Sequence, residues 1–129
     1  GVTLFFFAFR QATSFNQDIS DWDVSSCFSF ENMFLGATSF QQNLAGWAPI
    51  AISGSAANFM TGITLTTTNY DALLIGWSAN LESLYPGGVG YTNTPTFGFG
   101  NSVNSTGAAE DAKNNLIETF NWTITDGNS

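Results

Sequence analysis

Phe9-Arg10-Gln11-Ala12-Thr13-Ser14-Phe15-Asn16-Gln17-Asp18-Ile19-Ser20-Asp21-Trp22 is followed 25 positions later by Phe34-Leu35-Gly36-Ala37-Thr38-Ser39-Phe40-Gln41-Gln42-Asn43-Leu44-Ala45-Gly46-Trp47. Seven of the fourteen pairs are identical, and Ile19 with Leu44 is a conservative eighth. The same offset places Val2, Cys27 and Ile52 in one column and Phe9, Phe34 and Phe59 in another, with Leu65 joining Phe15 and Phe40. A coil of this length is too small to bury its own apolar side, so columns of large apolar residues at a fixed period call for stacking on neighbouring coils.

Within one coil, Ile19, Trp22 and Val24 suit a short strand. Phe30, Met33 and Phe34, at i, i+3 and i+4, suit a single helical turn over 28–34. Strand, turn, short helix and turn make the expected fold an α/β repeat. It is a leucine-rich-repeat-like solenoid with short parallel strands over residues 1–66, closed by an α+β cap over 67–129. Gln17 and Gln42 read either as an amide ladder in a buried turn or as two solvent-facing glutamines.

Composition narrows the function classes. Ten acidic residues against two basic ones, Arg10 and Lys113, leave a net charge of −8. Binding to a phosphate backbone depends on Lys and Arg releasing counterions, so nucleic acid is not an expected partner. Only 9% of residues are charged while 43% are hydrophobic, so Ser, Thr, Asn, Gln and Gly carry the polarity. That balance suits an extracellular β-rich or repeat protein. The apolar run 2–9 falls short of the roughly 18 residues of a membrane span, so no transmembrane segment is expected.

After Leu65 the period stops. Thr67 or Thr68 can cap a helix that carries Tyr70, Leu73, Leu74, Trp77, Leu81 and Leu84 on one face. Pro86-Gly87-Gly88 ends it. Residues 89–92 read as a strand and 93–100, around Pro95, as a loop. A second helix from about 107 to 120 aligns Ala109, Ala112, Leu116 and Phe120, and 122–125 supplies a closing strand. These elements would cover the open apolar end and the unpaired edge of the stack.

The run from Ala12 to Ser26 continues into Asn32-Met33-Phe34 and a second Gly-Ala-Thr-Ser-Phe at 36–40. It strongly resembles the BspA-like leucine-rich-repeat surface proteins. Residues 58–62, 69–77 and 122–127 look like the terminal section that closes such arrays. Residues 2–9 depart from the family pattern, and Cys27 and Phe30 stand where Val and Met are common. The resemblance implies a secreted or cell-surface protein, non-enzymatic, used for adhesion or protein–protein interaction. Starting inside a repeat, the chain is expected to be a piece of a longer protein or the remnant after processing. Two other readings are carried: a structural subunit of an extracellular filament or sheet, and a carbohydrate-binding module.

Candidate sites are few. The chain has no histidine, which removes Ser-His-Asp and Cys-His catalytic sets, and no catalytic or cofactor residue is expected. Asp18, Asp21 and Asp23 are a weak calcium candidate. Their counterparts 25 positions on are Asn43, Gly46 and Ala48, so no ladder of acidic ligands follows the repeat, and a metal is not the expected reading. Trp22 and Trp47 read as stacked core aromatics ahead of sugar platforms, and Cys27 as a buried small hydrophobe. Asn104 and Asn121 begin glycosylation sequons, relevant in a eukaryotic secreted chain, with Asn104 the better acceptor for its loop position. Phe5, Phe6, Phe7 and Phe9 form an aromatic edge expected to meet a protein partner or a second copy.

Overall fold

A computed structural model describes residues 8–129. Val2 and the edge residues Phe5, Phe6 and Phe7 lie outside the described residues. The element order is β1 (Ser55–Ala56), α1 (Thr67–Leu84), a 3₁₀ turn (Pro86–Gly88), β2 (Thr96–Gly98), α2 (Ala108–Glu118) and β3 (Thr123–Thr125). The strands form one parallel sheet in the order β1-β2-β3, with Ala56 beside Phe97 and Phe97 beside Ile124. Each helix is therefore the crossover between two neighbouring parallel strands.

Ahead of β1 the backbone turns repeatedly, and it repeats its own bonding. Ala12 N–H donates to Phe9 O, Phe15 to Ala12 and Trp22 to Ile19; 25 positions on, Ala37 donates to Phe34, Phe40 to Ala37 and Trp47 to Leu44. Adjacent segments are tied across the period. Phe34 N–H donates to Phe59 O at 3.0 Å and Gly36 N–H to Thr61 O at 3.0 Å, while Gln11 N–H donates to Leu35 O at 2.7 Å. The aromatic columns are in contact: Phe15 and Phe40 lie 5.8 Å apart with parallel rings, and Phe9 and Phe34 are 5.5 Å apart.

Several local expectations are corrected. Residues 31–36 form consecutive turns in place of a helix, because Asn32 (φ 60°) and Gly36 (φ 75°) sit in the left-handed region and interrupt any helical run. No strand is assigned over 19–24, where turns at 20–21 and 25–26 leave too little extended chain to pair. The sheet lies instead at 55–56, 96–98 and 123–125. Its middle strand falls inside the stretch read as a loop, while 89–92 forms no strand. The turn-forming glycine at 98 misled that reading: a Cβ there would sit 1.9 Å from Ala57 O, so glycine is what lets β2 close on the preceding chain.

The second half continues the packing of the first. Met60 N–H donates to Gly98 O and Asn101 N–H to Ile63 O, so residues 98–101 lie against 60–63 as 59–61 lie against 34–36. Helix α1 is capped by Thr66, one residue ahead of the expected threonines, whose hydroxyl accepts from Asn69 N–H at 3.2 Å. Helix α2 buries Ala109 and Leu116, and Phe120 beyond its end is buried too. The core runs unbroken from Ile19 to Trp122, with Trp47, Trp77 and Trp122 among its largest buried side chains.

Candidate functional site

The repeat shapes the outer surface as well as the core. Asp18 Oδ1 accepts from Ser20 N–H at 2.9 Å, and at the equivalent place Asn43 Oδ1 accepts from Ala45 N–H at 2.8 Å. Each turn buries the residue between, Ile19 at 3% exposed and Leu44 at 0%, while its polar neighbours face outward. The two turns lie close together at Gly46, where a Cβ would make an ordinary contact 3.4 Å from Ser20 O. Between them lies an open groove of about 340 Å³, lined by Asp18, Ser20, Gln42, Asn43, Ala45 and Gly46. It offers carboxamide, hydroxyl and backbone groups with one carboxylate, whose pKa is lowered by the Ser20 hydroxyl and N–H.

The amide ladder forms one residue earlier than expected, along Asn16, Gln41 and Thr66. Asn16 Oδ1 accepts Gln41 N–H at 2.8 Å, and Gln41 Oε1 accepts Thr66 N–H at 2.7 Å. Gln41 also donates to Thr64 O and accepts from Asn69 Nδ2. Gln42 reaches back to the carbonyl and side-chain oxygens of Asn16, and Gln17 is exposed. The signal was present in the sequence as two carboxamide residues 25 apart. Choosing Gln17 and Gln42 by identity hid it, because Asn16 and Gln41 share chemistry without sharing a name.

The acidic candidates are separate in their bonding. Asp18, Asp21 and Asp23 are all exposed, and Asp23 Oδ1 is occupied by the N–H and hydroxyl of Ser25, which lower its pKa. Among the described residues no group of three or more His, Cys, Asp or Glu side chains is placed to hold a metal ion. Trp47 is buried, whereas Trp22 is 38% exposed and lies 5.8 Å from Phe9. Phe9 is half-buried and stacks on Phe15 at 3.8 Å, so it belongs partly to the core. Cys27 is buried, and burial together with the Asp23 charge raises its thiol pKa.

The sequons differ in accessibility. Asn104 is 7% exposed and its amide nitrogen donates to Ser105 O and Glu110 Oε2, whereas Asn121 is exposed. Accessibility thus favours Asn121, the reverse of the order expected from loop position. A buried polar network around Asn104, Lys113 and Asp126 escaped the sequence reading. Its members are brought together by α1, α2 and the C-terminal turn, and no local motif announces them.

Among the described residues no helix is long and apolar enough to cross a membrane. No curated protein and no solved structure matches the chain. The repeating segment and the first turns of α1 do match a family: over residues 1–73 the chain fits, and so belongs to, the one described as Mycoplasma protein of unknown function, DUF285.

Proposed function

We propose that this chain is a non-enzymatic surface-repeat domain of the BspA-like kind, in which 25-residue coils stack as a leucine-rich-repeat-like solenoid and the outer face binds protein at the cell surface. The observation that carries this reading is the Asn16–Gln41–Thr66 ladder. It holds side chains of neighbouring coils at fixed spacing beside a groove rich in neutral polar groups. Such a surface recognises by shape and hydrogen bonding, with one carboxylate in the groove and little electrostatic steering. The extracellular location rests on the family resemblance and the low charge, and the step from fold to binding is an analogy.

A binding screen against purified extracellular proteins tests it, run with the native chain and with Asn43→Lys, which obstructs the groove from an exposed position. Binding by the native chain that falls at least tenfold in the variant supports the reading. The absence of any binder removes it.

The groove also favours a second reading, a carbohydrate-binding module, since Asp18, Ser20, Gln42 and Asn43 are the donors and acceptors that sugar hydroxyls use. A glycan array that gives a hit lost in Asn43→Lys would support it over protein adhesion.

A further inference from the structure

The buried network of the C-terminal half holds an unusual set of partners. Lys113, the sole lysine of the chain, projects from α2 and places Nζ 3.0 Å from Asp126 Oδ2 and 3.0 Å from Asn104 Oδ1. On the other side of the same carboxamide, Asn104 Nδ2 donates to Glu110 Oε2 at 2.6 Å. Asp126 Oδ2 also accepts the Tyr70 hydroxyl at 2.5 Å. Asn104 and Asp126 are 7% and 8% exposed, and the Lys113 side chain 13%.

Neutralising a buried ammonium requires one carboxylate, and Asp126 provides it. Glu110 is in excess of that need and is bonded to the nitrogen of the carboxamide whose oxygen the amine contacts. A primary amine, an amide carbonyl and an acid–base group on the amide nitrogen are what acyl transfer to an amine requires. The backbone that carries the carboxamide is also held: Asn104 N–H donates to Asn128 Oδ1 at 3.0 Å and Ser105 N–H to Asp71 Oδ1 at 2.9 Å. Fixed reactants in a largely water-excluded site gain the rate advantage of an intramolecular reaction, and a bond formed once needs only a slow rate.

We propose that Lys113 and Asn104 form an isopeptide bond autocatalytically, with Glu110 as the catalytic acid–base. The Lys113 ammonium gives one proton to the Asp126 carboxylate. The Nζ lone pair attacks Asn104 Cγ, and the carbonyl electrons move onto Oδ1. Glu110 takes a second proton from the attacking nitrogen and delivers it to Nδ2. Collapse of the intermediate restores the carbonyl, breaks the Cγ–Nδ2 bond and releases ammonia, which takes the proton back from Asp126 and leaves as ammonium. The product is a secondary amide tying α2 to the loop before it, with no redox partner involved. This inference does not depend on what the outer surface binds.

Intact-mass spectrometry of the purified chain is the test. The expected mass is lower than that of the sequence by one ammonia, about 17 Da. An acylated lysine is not a trypsin site, so denatured protein is expected to be cut after Arg10 alone, leaving 11–129 as one fragment. Glu110→Gln is expected to keep the full mass and be cut after Lys113, with an unchanged circular dichroism spectrum. Full sequence mass in the native chain overturns the proposal. So does loss of ammonia with cleavage after Lys113 retained, which would mean cyclisation within an asparagine. A loss of one water, about 18 Da, mapped to Asp126 overturns the assignment to Asn104 as well.

Discussion

The Trp77 indole Nε1 donates to the Leu44 carbonyl oxygen at 2.8 Å, repeating from a helix the bond that Trp47 makes to Ile19 O at 3.0 Å. Leu44 and Ile19 are equivalent positions of the 25-residue unit. Helix α1 thus gives the second 25-residue unit the indole bond that the second unit gives the first. Asn80, three residues along, adds bonds to Ala45 O and Trp47 O. Replacing Trp77 by Phe keeps most of the packing and removes one of two bonds to Leu44 O, which still accepts Trp47 N–H at 3.0 Å. The expected cost, one hydrogen bond and the volume of the lost ring, is about 1–2 kcal/mol, read as a lower urea midpoint with unchanged slope.

The ladder residue Gln41 makes four bonds to backbone and side-chain groups of adjoining segments. Gln41→Leu preserves approximate size and its own N–H bond to Asn16 but abolishes the three made by the amide. A loss of about 2 kcal/mol is expected. Asn16→Ala removes the bonds to Gln41 N–H and Gln42 Nε2, and should cost about 1–2 kcal/mol. The two changes act on one network, so the double variant should lose measurably less or more than their sum in a double-mutant cycle.

Gly76 lies inside α1, where alanine is the better helix former by about 1 kcal/mol. A Cβ at this position would nevertheless come 2.3 Å from Ala45 O and 2.7 Å from Ala45 Cβ. Gly76→Ala is therefore expected to destabilise, by about 1–3 kcal/mol net of propensity. Ala45→Gly in the same chain should rescue it only in part, since the contact with the backbone oxygen remains. Thermal denaturation of the native chain and the two variants checks the order.

Acid and alkali should both weaken the C-terminal network, each through a different group. Before Lys113 is acylated, burial works against ionisation of Asp126, but bonds from Tyr70, Lys113 and Asn128 and the Lys113 charge outweigh it, so its carboxyl is held below the ordinary range. Unfolded Asp titrates near about 3.9, so this contribution is present above that pH and lost as pH falls through it towards the native value. Tyr70 is shifted upward, first by burial and then by its bond to Asp126. Its contribution is present below about pH 10 and lost as pH rises beyond it. Asp126→Asn should flatten the acid limb of a stability–pH curve, and Tyr70→Phe the alkaline limb.

The parts legible in the sequence were those in which equivalent residues recur at fixed spacing or fall on one helix face. The contact of Phe15 with Phe40, the burial of Trp47 and the inward stripe of Ala109 and Leu116 follow from that periodicity. The supposed helical turn at 28–34 failed because spacing cannot reveal a left-handed Asn32. Strand β2 was hidden by Pro95 and Gly98, which signal a turn locally yet here permit close approach to Ala57. The network of Tyr70, Asn104, Lys113 and Asp126 was beyond reach for another reason. Tyr70 and Asp126 are 56 positions apart, and only the packing of α1, α2 and the sheet brings them together.

Register between successive 25-residue units is the claim on which the outer surface, the ladder and the groove all depend. Assigned nuclear Overhauser contacts test it most directly. The structure predicts contacts between the ring protons of Phe15 and Phe40, whose centroids are 5.8 Å apart, and between the Gln41 amide proton and the Asn16 side chain. A Phe15 ring whose contacts omit Phe40, or a Gln41 amide proton with contacts only to its sequence neighbours, would contradict it.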